Sequence, residues 1–199
     1  MNDNPKVLNF YHLLNYRFNI PEYQRGYRWE KKQVEDLLND LKDFIDKKSD
    51  KKEFYCLQPI VVYKTDENSY DVIDGQQRLT TLYLILKALE NTIDENCDTQ
   101  TIYEIGYSKY KNDPPENDYL NSNGFVDDNE DQYLTADNFF IRQAYVEICR
   151  WFDNNKRCRV TFAQMLMNSD NNSTLPDNEK KDLRVIWYET TSGSKDSYN

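Results

Sequence analysis

The densest group of residues able to do chemistry is a polar block between a strand-like run and a leucine-rich run. It consists of Asp74, Gly75, Gln76, Gln77 and Arg78. Where a strand turns sharply into a helix, the unpaired N–H groups and the helix dipole attract anions. Gly75 would let a ligand approach the backbone closely, and Arg78 could hold a phosphate through two hydrogen bonds. The block therefore predicts a phosphate site, with a capped turn carrying surface glutamines as the alternative.

Each polar side chain around this turn suits a particular task. Asp74 could hold a metal ion, orient a water molecule or bond a sugar hydroxyl. Gln76 and Gln77 are neutral, so they could position a water molecule without being titrated. Thr80 and Thr81 could cap the helix or bond phosphate oxygens.

A second candidate segment covers residues 20–29, a loop with a proline and a glycine in which two arginines alternate with three aromatic residues. Its members include Pro21, Tyr23, Gln24, Arg25, Gly26, Tyr27, Arg28 and Trp29. Such a loop can stack a base and neutralise phosphates. The alternative is that the aromatic side chains pack on the following helix while the arginines form salt bridges.

The elements that must position these segments follow from the spacing of apolar residues. Helices are predicted over residues 7–16, 30–48, 79–91 and 136–155, with a short helix ending at Met167 that Thr161 could cap. Strands are predicted over residues 17–20, 53–64 (interrupted at Pro59), 70–73 and 183–188, the middle two forming a hairpin. These elements indicate an α/β (α+β) core over residues 1–95. A mainly helical extension over residues 96–199 follows, with a long polar loop at 112–131.

Composition excludes several classes of protein. The 199 residues carry 25 basic and 35 acidic side chains, a net charge of −10, which argues against a non-specific nucleic-acid coat. The single histidine, His12, excludes a two-histidine metal site and a His-Asn-His nuclease centre. The four cysteines include no Cys-x-x-Cys pair, so a zinc site is not expected. No run approaches the about 20 apolar residues of a membrane span, and no signal peptide is evident, so a cytoplasmic protein is expected.

Residues 20–29 and 72–82 together resemble the two signatures of the DUF262 domain. This is the N-terminal domain of GmrSD-type, modification-dependent (type IV) restriction endonucleases, and it also occurs in related phage-defence proteins. The resemblance is strongest over residues 7–95, and residues 185–189 are similar to a later strand of the family. The family's usual Arg-Leu-Asn-x-Gly-Lys continuation is missing, so a truncated form is expected.

The resemblance implies a small mixed sheet with flanking helices, similar to ParB and sulfiredoxin. It also implies that the domain binds and hydrolyses a nucleoside triphosphate (GTP, ATP or CTP) with Mg²⁺ held by Asp74. The residues implied in catalysis are Asp74, Gln76, Gln77 and Arg78, and those implied in nucleotide binding are Gly75, Arg78, Thr80, Thr81, Tyr23, Gln24 and Arg25. Arg25 and Arg28 are expected to reach DNA, and the resemblance implies that this DNA is modified. DNA cleavage is expected in another domain or a partner chain.

Two alternatives remain open at this point. A ParB-like nuclease acting directly on DNA would need clustered carboxylates, and Asp71 with Asp74 is the only pair near the turn. A non-catalytic module that binds nucleic acid or a partner would keep the same fold without turning over nucleotide.

Overall fold

A computed structural model describes residues 4–48, 52–90, 92, 102–108, 120, 125–126, 135–168 and 181–191. The strands are β1 (Lys6–Asn9), β2 (Arg17–Ile20), β3 (Glu53–Asp66), β4 (Ser69–Asp74), β5 (Glu104–Tyr107) and β6 (Lys181–Thr190). The helices are a 3₁₀ helix (Phe10–Asn15), α1 (Lys31–Asp46), α2 (Gln76–Leu89), α3 (Ala136–Asn154) and α4 (Cys158–Met167). The predicted α+β class is confirmed.

The six strands form one mixed sheet in the order β1-β6-β3-β4-β2-β5. β3 and β4 form the predicted antiparallel hairpin, with Asn68 in the left-handed conformation at its turn (φ 58°). β2 runs parallel to both β4 and β5. β6 runs parallel to β3 and antiparallel to β1, so it lies between strands that come much earlier in the chain.

Pro59, where an interruption of the strand was predicted, interrupts the pairing of β3 but does not end the strand. The strand continues through it, and the pairing with β6 shifts register between Leu57 and Ile60. A proline lacks the N–H that a ladder needs, and a bulge accommodates it without ending the strand. The bulge exposes Gln58 beside the start of α2.

Two predicted boundaries near the helices were wrong. Residues 7–9 belong to strand β1, because pairing with β6 overrides a helical spacing that covers only a few residues. The chain then enters the 3₁₀ helix, which Asn9 caps by accepting a hydrogen bond from the Tyr11 N–H at 2.9 Å. Helix α4 begins at Cys158, and the Thr161 hydroxyl donates to the Cys158 carbonyl at 3.0 Å, so Thr161 does not cap it.

Helix α2 is the centre of the core, since 11 of its 14 residues are buried. It begins three residues before the predicted Leu79 because Gly75 ends β4 abruptly. The predicted apolar face is buried, and so are Leu84 and Ile85 on other sides of the helix. Helices α3 and α4 pack against α2, so the site at the start of α2 rests on an element that is fixed in the core.

The predicted polar loop at 112–131 lies outside the described residues, except for Leu120, Phe125 and Val126. Leu120 and Phe125 are buried against the core. In the described part of the chain, no helix is long and apolar enough to cross a membrane.

Candidate functional site

The turn between β4 and α2 depends on the glycine at position 75. Gly75 has φ 97°, a left-handed conformation that residues with a Cβ rarely adopt. A Cβ there would also lie 3.2 Å from Ile60 Cγ1 and 3.3 Å from the Pro59 carbonyl oxygen. The first helical hydrogen bond runs from the Leu79 N–H to the Gly75 carbonyl at 3.0 Å. The amides before Leu79 have no carbonyl within the helix to bond, which makes this end of α2 suitable for an anion.

The structure brings the two candidate segments together through the paired glutamines. Gln76 Nε2 donates to the Arg25 carbonyl at 2.7 Å, and Gln77 Nε2 donates to the Gly26 carbonyl at 3.0 Å. Gln77 Oε1 accepts from the N–H groups of Arg28 (2.8 Å) and Trp29 (3.2 Å). Both glutamines are buried, so they hold the loop and do not lie on the surface.

A third amide joins the loop to the sheet. Gln24 Nε2 donates to the Ile73 carbonyl of β4 at 2.8 Å. The side chains of Tyr23 and Arg25 are exposed next to this contact. The loop therefore has a fixed backbone and carries an exposed aromatic ring and an exposed cation beside the start of α2.

Arg78 lies in the first turn of α2 and faces the bulge of β3. Its Nη1 donates to Gln58 Oε1 at 2.9 Å and its Nη2 donates to the Pro59 carbonyl at 2.5 Å. Burial lowers the pKa of the guanidinium, while the Asp74 carboxylate acts in the opposite direction. Its Nε is buried and has no hydrogen-bond partner among the described residues. The side chain thus keeps unused donor capacity at the turn.

Asp74 is the exposed acid of the turn. Its side chain is 71% exposed and its Oδ2 lies 4.0 Å from Arg78 Nη2. Its Oδ1 accepts a hydrogen bond from the Gly75 N–H at 2.8 Å, which fixes the carboxylate at the end of β4.

Thr80 and Thr81 lie inside the core and not on the site surface. The Thr80 hydroxyl is 2.8 Å from the Tyr107 hydroxyl, and the Thr81 hydroxyl is 2.8 Å from the Tyr27 hydroxyl. Thr81 also donates to the Gln77 carbonyl at 2.9 Å. Contact between either threonine and a phosphate would require these buried hydrogen bonds to open.

Arg28 is held by the protein itself. Its guanidinium forms an ion pair with Asp137 in the first turn of α3, donates to the Tyr27 carbonyl at 2.6 Å, and lies over the Phe140 ring at 5.5 Å. The residues missed by sequence reasoning are Asp137 and Gln58. Thr135 before Asp137 signals a helix start, but no local pattern could indicate a partner 109 residues away.

The acids near the turn set a limit on metal binding. Asp71 Oδ1 accepts from Asn19 Nδ2 at 2.6 Å, so this carboxylate is already in use on the sheet. In the described residues, no group of three histidine, cysteine or acidic side chains could hold a metal ion. Mg²⁺ is often bound by one or two carboxylates together with substrate phosphates. Asp74 fits Mg²⁺ in that shared manner only.

Comparison with known proteins adds to the geometry. No curated protein matches the sequence. The family model described as "GmrSD restriction endonuclease, N-terminal domain" matches residues 7–198, so the match extends through α3, α4 and β6. The chain therefore belongs to the family of GmrSD restriction endonuclease N-terminal domains, which makes it a component of a restriction-endonuclease system.

Proposed function

We propose that the domain binds a nucleoside triphosphate at the start of α2 and hydrolyses it with Mg²⁺. In this proposal, turnover controls a DNA nuclease in another domain or in a partner chain. The observation that carries the proposal is the contact between the two segments. Three glutamine amides fix the loop beside the helix start, which leaves Tyr23, Arg25 and Asp74 exposed around it.

The residues divide into those that would touch the ligand and those that would support them. The first amides of α2, with Arg78 and Arg25, would hold the phosphates through charge-assisted hydrogen bonds. Tyr23 could stack on the base, since it is 54% exposed. Gln24, Gln76 and Gln77 would act through the loop, because their amides are bonded to backbone carbonyls.

Hydrolysis would need a water oxygen to attack the γ-phosphorus in line with the bond to the β-phosphate oxygen. The bond between that oxygen and the γ-phosphorus breaks, and inorganic phosphate and nucleoside diphosphate leave. Mg²⁺, when bound, supplies charge neutralisation on the phosphates. Asp74 would hold that ion or orient the attacking water, and Arg78 would stabilise charge on the phosphoryl oxygens.

Fewer arginines of this loop are available to contact DNA than the sequence suggested. Arg28 is occupied by Asp137 and Phe140, so Arg25 is the arginine of this loop that we assign to an anion outside the protein. No observation on the described residues favours the direct nuclease, which needs clustered carboxylates around metal ions.

Isothermal titration with GTP, ATP and CTP, each with and without Mg²⁺, tests the proposal. Binding of at least one triphosphate is expected, with a loss of about tenfold or more in Arg25→Ala. Arg17→Ala is the matched control, because Arg17 is another exposed arginine and lies at the start of β2, away from the loop. The proposal would be overturned if none of the three nucleotides binds. Equal losses of nucleotide affinity in Arg25→Ala and Arg17→Ala would remove Arg25 from the site.

A further inference from the structure

The first turn of α3 packs directly on the loop that borders the proposed site. Asp137 is the contact residue, with a side chain only 3% exposed. Its carboxylate pairs with Arg28, whose guanidinium also bonds the Tyr27 carbonyl and covers the Phe140 ring. One buried acid on α3 therefore fixes both an arginine and the backbone next to it.

Gly26 is the second point of contact between the same carboxylate and the loop. A Cβ added to Gly26 would overlap the Asp137 carboxylate. The loop backbone can come this close to α3 only because position 26 has no side chain. The helix start is itself fixed, since the Thr135 hydroxyl accepts from the Asn138 N–H at 3.2 Å. An acid in the first turn also suits the helix dipole.

The opposite side of the loop is held by α2. Gln76 and Gln77 bond the carbonyls of Arg25 and Gly26, as described above. The backbone of residues 25–29 is consequently held in place by contacts from both α2 and α3. The exposed cationic side chain of Arg25 extends from this backbone beside the start of α2.

We infer that Asp137 is a positioning residue for the proposed site. It acts through Arg28 and Gly26 to hold residues 25–29 in the one arrangement that presents Arg25 to the helix start. As a result, the position of residues 25–29 depends on the position of α3. A displacement of α3 would therefore change the affinity for the nucleotide. The effect on nucleotide affinity rests on the proposed function, whereas the restraint of residues 25–29 by Asp137 does not.

The test compares Asp137→Asn with Glu147→Gln in the full chain. Glu147 is the matched control, because it is a buried acid of the same helix that pairs with Arg150 and with Lys31 of α1. Hydrogen exchange of the amides of residues 25–29 is measured without nucleotide. Titrations with GTP, ATP and CTP and thermal melts follow on the same samples.

Asp137→Asn is expected to speed exchange in residues 25–29 about tenfold and to weaken triphosphate affinity about tenfold. Glu147→Gln is expected to lower Tm but to leave both of these quantities unchanged. Equal effects of the two variants on loop exchange would overturn the inference, as would normal exchange in Asp137→Asn.

A variant with a milder change guards against loss of folding. Arg28→Lys keeps the charge but not the planar fork, so loop exchange should rise by a smaller factor while the protein stays folded. Unchanged exchange in Arg28→Lys and Asp137→Asn alike would also reject the inference. If the wild type binds no nucleotide, the proposed function fails, and the exchange comparison still decides whether Asp137 positions the loop.

Discussion

The hydroxyl of Tyr27 lies 2.8 Å from the hydroxyl of Thr81 inside the core. This hydrogen bond ties the loop to α2 independently of the glutamines. Tyr27→Phe should reduce the free energy of unfolding by about 1 kcal/mol, because Thr81 keeps its bond to the Gln77 carbonyl. Urea unfolding measures the change.

Tyr107→Phe is the matched control for that variant, since it removes the hydroxyl that bonds Thr80 one position earlier in α2. A similar loss of stability is expected from each variant. Only Tyr27→Phe should also weaken triphosphate binding, because only Tyr27 belongs to the loop. Weakened binding in both variants would mean that general destabilisation is the cause.

Arg78→Ala should weaken triphosphate affinity by tenfold to a hundredfold, the value of one charge-assisted contact of about 1.5–3 kcal/mol. The variant also loses the two bonds to the bulge of β3. Gln58→Ala separates these effects, because it removes one bulge contact and keeps the cation. Calorimetric titration should give near-normal triphosphate affinity for Gln58→Ala. An equal loss of affinity in both variants would mean that Arg78 only holds the bulge of β3 and does not contact the nucleotide.

Asp74→Asn should lower kcat more than it lowers affinity, since a group that holds Mg²⁺ or water acts mainly in the transition state. Single-turnover hydrolysis and titration on the same preparation measure the two quantities. Asp66→Asn is a suitable control, being an acid at the far end of the same hairpin. Equal losses in rate and affinity for Asp74→Asn would limit Asp74 to positioning the nucleotide.

Replacement by alanine should affect the stability of the protein in opposite directions at two glycines. A Cβ added to Gly106 in β5 meets no atom of the described residues within 4 Å, so Gly106→Ala should be neutral or stabilise by up to about 1 kcal/mol through the unfolded chain. Gly26→Ala would overlap the Asp137 carboxylate and should cost about 1–3 kcal/mol. Thermal melts distinguish them, and a silent Gly26→Ala would show that the loop and α3 are not tightly packed.

Alkaline pH should destabilise the fold through Tyr70. Burial raises the pKa of Tyr70 to about 12, with Tyr16 and Glu189 adding to the effect. An unfolded tyrosine loses its proton near pH 10, so the contribution of Tyr70 is complete below that pH and is lost as pH rises toward 12. Tyr70→Phe should show a shallower fall in unfolding free energy between pH 9 and 11.5 than the wild type, and identical slopes would contradict the prediction.

The parts of the fold that sequence could predict are those set by local pattern. Helix α1 and the β3–β4 hairpin follow from spacing and turn residues within a few positions. β1 could not be predicted, since its strand form depends on pairing with β6 about 180 residues later. The likeness of the sheet to ParB and sulfiredoxin remains a prediction.

The same division applies to the site. The turn from Asp74 to Arg78 was evident because a strand, a glycine and a helix follow one another directly. The partners of Gln76 and Gln77 are backbone carbonyls, which exist at every residue and leave no signature in the sequence. The pairing of Arg28 with Asp137 depends on how α3 packs, which local periodicity does not report.

The position of β6 between β1 and β3 has a consequence for synthesis of the protein. On a ribosome, the chain emerges from its N-terminal end, so β1 must wait for residues 181–190 before its pairing partner exists. The hairpin and α2 can form early from neighbouring residues, but the sheet closes only through pairing between residues far apart in the sequence, which slows folding. During this interval the edges of β1 and β3 are open to wrong partners, and the complete sheet beside the proposed nucleotide site would form only on a chain translated through β6.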